Sequence, residues 1–111
     1  MGRGEVWRVR FGPASGHVQA GDRPAVIVQQ DRHTARLATL LVVPFTSRLK
    51  TRKYPGTLLV QPDGRNGLTV PSVALGFQIR AVDQRDVIAQ LGVLDAAVLD
   101  QVTALVDQLI H

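Results

Sequence analysis

Apolar and polar positions first alternate near the start of the chain, where Trp7, Val9 and Phe11 interleave with Val6, Arg8 and Arg10. That period of two predicts a strand over Glu5 to Phe11, half buried on one side, with Trp7 in the core. Gly12 to Asp22 carries three glycines and a proline without apolar periodicity, which predicts a long loop of the kind that often carries function. Pro24 to Val28 and Leu37 to Phe45 are continuous apolar runs too short for typical helices, which suits strands buried on both faces at the centre of a sheet. Leu58 to Gln61 and the residues from Leu68 onward, joined through Pro62-Asp63-Gly64, predict a hairpin with Pro71 at an edge or bulge. Val73 to Val82 and Val87 to Leu91 are further strand candidates, and the polar Asp83 to Asp86 between them suits a single helical turn.

The period changes at the end of the chain. Val98, Val102, Leu105, Val106 and Leu109 recur at helical spacing after Asp95, a natural N-cap. Leu94 before that cap and Leu99 after it match a hydrophobic staple. Five to seven short, mostly antiparallel strands followed by one helix predict a mainly β, α+β fold: a strongly bent sheet or small barrel with the helix packed against it. With 111 residues, 45% of them hydrophobic, the chain has room for one domain over 1–111. It contains neither a membrane-length apolar run nor the apolar core of a signal peptide, so the expected setting is cytoplasmic, away from membranes.

Composition narrows the chemistry. Without cysteine there are no disulfides, thiolate metal sites or cysteine nucleophiles. His17, His33 and His111 are scattered without a helical i, i+4 partner, no serine sits in a nucleophile elbow, and phosphate-loop and dinucleotide fingerprints are absent. No metal or cofactor is therefore expected. Charge is distributed unevenly: residues 1–65 hold 11 basic and 4 acidic side chains, residues 66–111 hold 2 and 5. One part of the surface can thus face a polyanion. Arg48, Lys50, Arg52 and Lys53 form the densest cationic cluster, a backbone-phosphate patch on one reading and a solubilising loop on the other.

Three segments, GDRPAVIV at 21–28, VVPFTSR at 42–48 and VALGFQIRAVD at 73–83, resemble the MazF/PemK family of toxin endoribonucleases, and GEVWRVRF followed by a long loop resembles that family's opening. The resemblance covers nearly the whole chain. It implies an SH3-like barrel with a C-terminal helix, a homodimer, and metal-independent cleavage of single-stranded mRNA at short sequences to a 2′,3′-cyclic phosphate and a 5′-hydroxyl. By the same resemblance Arg23 and Thr46 are the catalytic pair at the scissile phosphate. Without it, Arg23 reads as a structural ion-pair residue and Thr46 as the end of a strand. His17 matches a loop histidine of some members and can shuttle a proton near neutral pH. Gln19, Ser72 and Gln78 match groove-lining positions, and Ser47 adjoins Thr46. The implied partner is a MazE-like antitoxin whose acidic tail lies over the basic groove.

The sequence departs from the family at Phe77, where members often carry an acidic residue. Either cleavage proceeds without that group, or Phe77 stacks a base, or the RNase activity is weakened. Two alternatives to an RNase follow. One is a non-enzymatic toxin resembling the CcdB gyrase poisons, dependent on its C-terminal residues Asp107 to His111; the other is a catalytically inactive RNA-binding relative.

Overall fold

The computed structural model describes residues 1–12 and 21–111. Seven strands are present: β1 (Glu5–Arg10), β2 (Asp22–Ile27), β3 (Thr39–Thr46), β4 (Thr57–Val60), β5 (Ser72–Leu75), β6 (Arg80–Asp83) and β7 (Val87–Val93). One turn of helix, α1 (Asp31–Thr34), joins β2 to β3, and α2 (Ala96–Ile110) ends the chain. All pairings among the described residues are antiparallel, in the order β4-β5-β3-β2-β1-β7, with β6 also on β3. The mainly β fold with a terminal helix is as expected. No hydrogen-bonded pairing closes the barrel among the described residues; instead the sheet curls until Val82 of β6 and Val87 of β7 share one apolar cluster.

The central strands are buried on both faces because two cores flank them. Val26, Val28, Val43 and Phe45 face a core completed by Val102 and Val106 of α2, whereas Ala25, Ile27, Leu40 and Val42 face a second core with Val9 and Phe11. This arrangement corrects the one-sided reading of β1. Val6 is fully buried in the α2-side core, and Trp7 is only half buried against the other, its Nε1 donating to Glu5 Oε1 at 2.8 Å.

The run Val73 to Val82 is not one strand. It breaks at a 3₁₀ turn, Gly76–Gln78, which divides β5 from β6. The reason lies in β3: Thr39–Val42 pairs with β6, Phe45–Thr46 pairs with β5, and Pro44, which has no N–H to donate, stands between the two ladders. The expected hairpin partner of β4 also begins later, at Ser72. Residues 61–71 form a tied loop instead. Asp63 Oδ1 accepts from the Arg65 and Asn66 amides, Asn66 Nδ2 donates to the Gln61 carbonyl, and Leu68 turns into the core. Those two amides hold the Asp63 carboxyl below its ordinary range.

The helical turn expected between β6 and β7 is present at Gln84–Asp86, where Asp83 accepts from the Arg85 amide. Hydrogen bonding from the Arg85 side chain, then from its amide, holds the Asp83 carboxyl low. Asp95 caps α2 by accepting from the Ala97 amide, and Leu94 and Leu99 join the same core, as the staple predicts.

Candidate nucleic-acid interface

Arg23 lies in β2 opposite Val9 of β1. The pairing of β2 on β3 runs from Ile27 opposite Val42 to Ala25 opposite Pro44, and Arg23 and Thr46 each lie two residues beyond that last pair, at neighbouring ends of the two strands. Both therefore belong to the sheet face of Ala25, Ile27 and Val42, turned away from α2. Two segments 23 residues apart in sequence thus deliver a guanidinium and a hydroxyl to one row of the sheet. Thr46 is only 2% exposed, and its Oγ1 accepts from the Arg48 amide at 3.2 Å. Its hydroxyl proton has no acceptor among the described residues, so it can be donated to an incoming oxygen.

Immediately after Thr46 the chain turns outward. Ser47 and Arg48 are exposed, and a 3₁₀ turn, Leu49–Lys53, presents Lys50, Arg52 and Lys53 to solvent. Thr51 Oγ1 donates to the Arg48 carbonyl, and Thr57 Oγ1 donates to the Tyr54 carbonyl, both at 2.8 Å, so this cationic strip has a defined shape. No acidic residue occurs between Thr46 and Pro62. The strip is consequently positive throughout.

The structure does not bring every expected residue to this face. Ser72 pairs with Val60, a residue of the α2-side core; it is buried, and its hydroxyl donates to the Val70 carbonyl at 3.0 Å. Val73, the neighbour of Ser72, is the residue that pairs with Thr46. Phe77 and Gln78 lie in the 3₁₀ turn after β5, Phe77 exposed and Gln78 half buried. His17 and Gln19 fall outside the described residues.

Arg80, within the segment 73–83 that carries the family resemblance, lies on the same face of the sheet as Arg23. It pairs with Val42, and its guanidinium lies 5.0 Å from the centre of the Phe11 ring, on the Arg23 face. Its Nη1 is buried without a hydrogen-bond partner among the described residues. Beside it a shallow cleft of about 250 Å³ opens between the end of β1 and β6, where Arg10 stands 3.9 Å from Asp86. Among the described residues no three His, Asp or Glu side chains converge.

The fold is a small curled β domain that carries an arginine and a threonine on one face at neighbouring strand ends, beside an uninterrupted cationic strip, groups whose chemistry suits a phosphodiester chain. Residues 2–110 match the family described as PemK-like, MazF-like toxins of type II toxin-antitoxin systems, and the chain belongs to that family. It is 36% identical over 106 residues to endoribonuclease MazF9 of Mycobacterium tuberculosis, covering 91% of this chain and 88% of that protein. It is 29% identical over 100 residues to endoribonuclease EndoA of Bacillus subtilis, covering 90% and 85%. The crystal structure of MazF from Deinococcus radiodurans superposes with a TM-score of 0.82 at 28% identity, covering 99% of this chain and 96% of that one. A MazE–MazF structure from the same organism gives 0.74 at 28% identity, covering 99% and 95%.

Proposed function

We propose that this MazF-like toxin is an endoribonuclease that cleaves single-stranded RNA without a metal, using the 2′-hydroxyl of the substrate as nucleophile. In that reaction the 2′-oxygen bonds to phosphorus and the bond from phosphorus to the 5′-oxygen breaks. The 2′ proton leaves to a base, the departing 5′-oxygen gains a proton, and the products are a 2′,3′-cyclic phosphate and a 5′-hydroxyl. Because the RNA supplies its own nucleophile, the protein has to align the chain and oppose the charge that grows on the phosphate. Arg23 suits that task, since its planar fork can donate to two phosphate oxygens, and the Thr46 hydroxyl can donate a further bond. Arg80 adds positive potential on the same face. A guanidinium holds its proton throughout the physiological range and is a poor proton acceptor, so Arg23 is assigned charge stabilisation rather than the role of base.

The observation that supports this reading is the β2–β3 register, which brings Arg23 and Thr46 to neighbouring strand ends on one face, next to the strip of Arg48, Lys50, Arg52 and Lys53. Its companions are a two-fold homodimer and a MazE-like antitoxin. The MazE–MazF structure from Deinococcus radiodurans supports the second, and the positive strip is a fitting seat for an acidic tail. Incubating the protein with RNA in excess EDTA tests the chemistry: cuts ending in cyclic phosphate and 5′-hydroxyl are expected. Intact RNA, with cleavage restored by added magnesium, would refute a metal-free reaction.

A further inference from the structure

Beyond the cationic strip the chain places an aromatic surface that the catalytic pair leaves unused. Tyr54, the only tyrosine of the protein, and Phe77 pack edge to face with ring centres 5.9 Å apart and planes at 66°. Both remain open to solvent, Tyr54 at 45% and Phe77 at 38% exposure. Lys53 Nζ lies 5.4 Å from the centre of the Tyr54 ring. Two backbone turns far apart in sequence are locked together to make this pair. The Gly76 amide donates to the Gly56 carbonyl at 2.8 Å, and a Cβ on Gly76 would stand 2.6 Å from that same oxygen. The Tyr54 amide donates to Thr51 and the Tyr54 carbonyl accepts from Thr57, which fixes the residue from both sides. Exposed rings held this firmly, with cations along one edge, have the composition of a surface that stacks bases while the cations hold phosphates.

We propose that Tyr54 and Phe77 form a stacking platform for one base of the bound RNA, and that Tyr54 is thereby an RNA-binding residue of this protein. The proposal rests on the reading of the protein as an RNA-cleaving toxin and names where a nucleotide flanking the cut is held. Thr46 and Tyr54 are joined by the seven residues 47–53, the last five of them the cationic 3₁₀ turn rising about 2 Å each, so the strip can carry the intervening phosphates from the catalytic row to the platform. A second copy of this chain does not suit the surface, because self-pairing would oppose Lys50, Arg52 and Lys53 to their own equivalents, in a segment, 47–61, that carries no acidic residue. Phe77 thus replaces the acidic side chain common in the family with a ring that serves binding rather than proton transfer.

Being the single tyrosine, Tyr54 can be watched directly. The protein is titrated with a 2′-O-methyl oligoribonucleotide of mixed sequence, which lacks a nucleophile and stays intact, with inorganic polyphosphate as a base-free polyanion and with polyglutamate as an acidic peptide. Ring-current shifts of the Tyr54 ring protons are expected with the oligonucleotide alone. Tyr54→Leu should weaken oligonucleotide binding about tenfold and leave polyphosphate binding unchanged, while Tyr54→Phe should bind as the wild type does. Equal weakening towards both polyanions, or no ring shift at saturation with the oligonucleotide, would overturn the platform. So would a ring shift with polyglutamate and none with RNA, which would make the surface a peptide site. Cleavage assays separate the two claims: a ring shift in a protein that does not cut RNA keeps the platform and removes the nuclease, whereas cutting unaffected by Tyr54→Leu does the reverse.

Discussion

The proposed chemistry rests on two single side chains, Arg23 and Thr46. Arg23→Ala is expected to fold as the wild type and to lose roughly 100-fold or more in cleavage, the scale found when one preorganised donor to a developing charge is removed. Arg23→Lys should recover little, because an ammonium keeps the charge but loses the planar fork. Initial rates on a defined RNA, with circular dichroism of each variant, check this; a fully active lysine variant would show that two-point geometry is unimportant, and an unfolded alanine variant would make Arg23 structural. Neither proposed role is legible from residue type alone. Arg23 is one of 11 arginines, and only the family resemblance distinguished it before the strand register did. Ser72 shows the converse, a polar residue in a suggestive segment that turns into the α2-side core and bonds to Val70.

At the level of elements, the loop of residues 61–71 is welded to β7 with no room to spare. A Cβ on Gly92 would lie 2.2 Å from the Arg65 carbonyl oxygen, which already accepts from the Val93 amide at 2.9 Å. Gly92→Ala must therefore displace backbone, and a loss of about 2 kcal/mol or more is expected in urea unfolding. Asp95→Ala removes only the α2 cap and should cost about 1 kcal/mol. If Gly92→Ala proves the milder of the two, the close approach of loop and strand is wrong. The Asp95 cap and the Leu94–Leu99 staple were readable in advance because they depend on neighbours within five residues. The close approach at Gly92, the break between β5 and β6 opposite Pro44, and the turn α1 were not, since each depends on a segment distant in sequence or on side chains such as Gln29, whose Nε2 bonds Thr34 and the Thr39 carbonyl.

For the molecule as a whole, positive charge is concentrated in the turn that follows Thr46. Replacing Lys50, Arg52 and Lys53 with alanine should weaken RNA binding similarly for all sequences and flatten its dependence on salt, by up to about 0.7 log units for each phosphate no longer neutralised. The cut sequence should stay the same. Affinities measured from low to high salt test this, and an unchanged slope would mean that the strip is merely solvated. Assembly is the other property of this scale. Leu37, Leu41, Val93 and Ile110 remain at least 40% exposed, so a small chain leaves apolar surface for a second copy to cover. A dimer is expected by light scattering at micromolar concentration, and a monomer there would remove any groove shared between subunits.

What the sequence determined by itself is whatever short-range periodicity and chemistry encode. These are strands at period two or as short apolar runs, a terminal helix with its cap and staple, the cationic cluster from Arg48 to Lys53, and the absence of cysteine chemistry. Tertiary structure decided how those pieces face one another. Val6 is buried because α2 covers its side of the sheet, Tyr54 meets Phe77 because the Gly56 and Gly76 turns bond, and Arg23 and Thr46 share one face because β2 and β3 pair in one register and no other. The physical reason is that a side chain's face along a strand is set by counting in twos from a partner. That partner is chosen by packing over the whole fold, so a slip of one residue would turn Arg23 and Thr46 to opposite sides of the sheet.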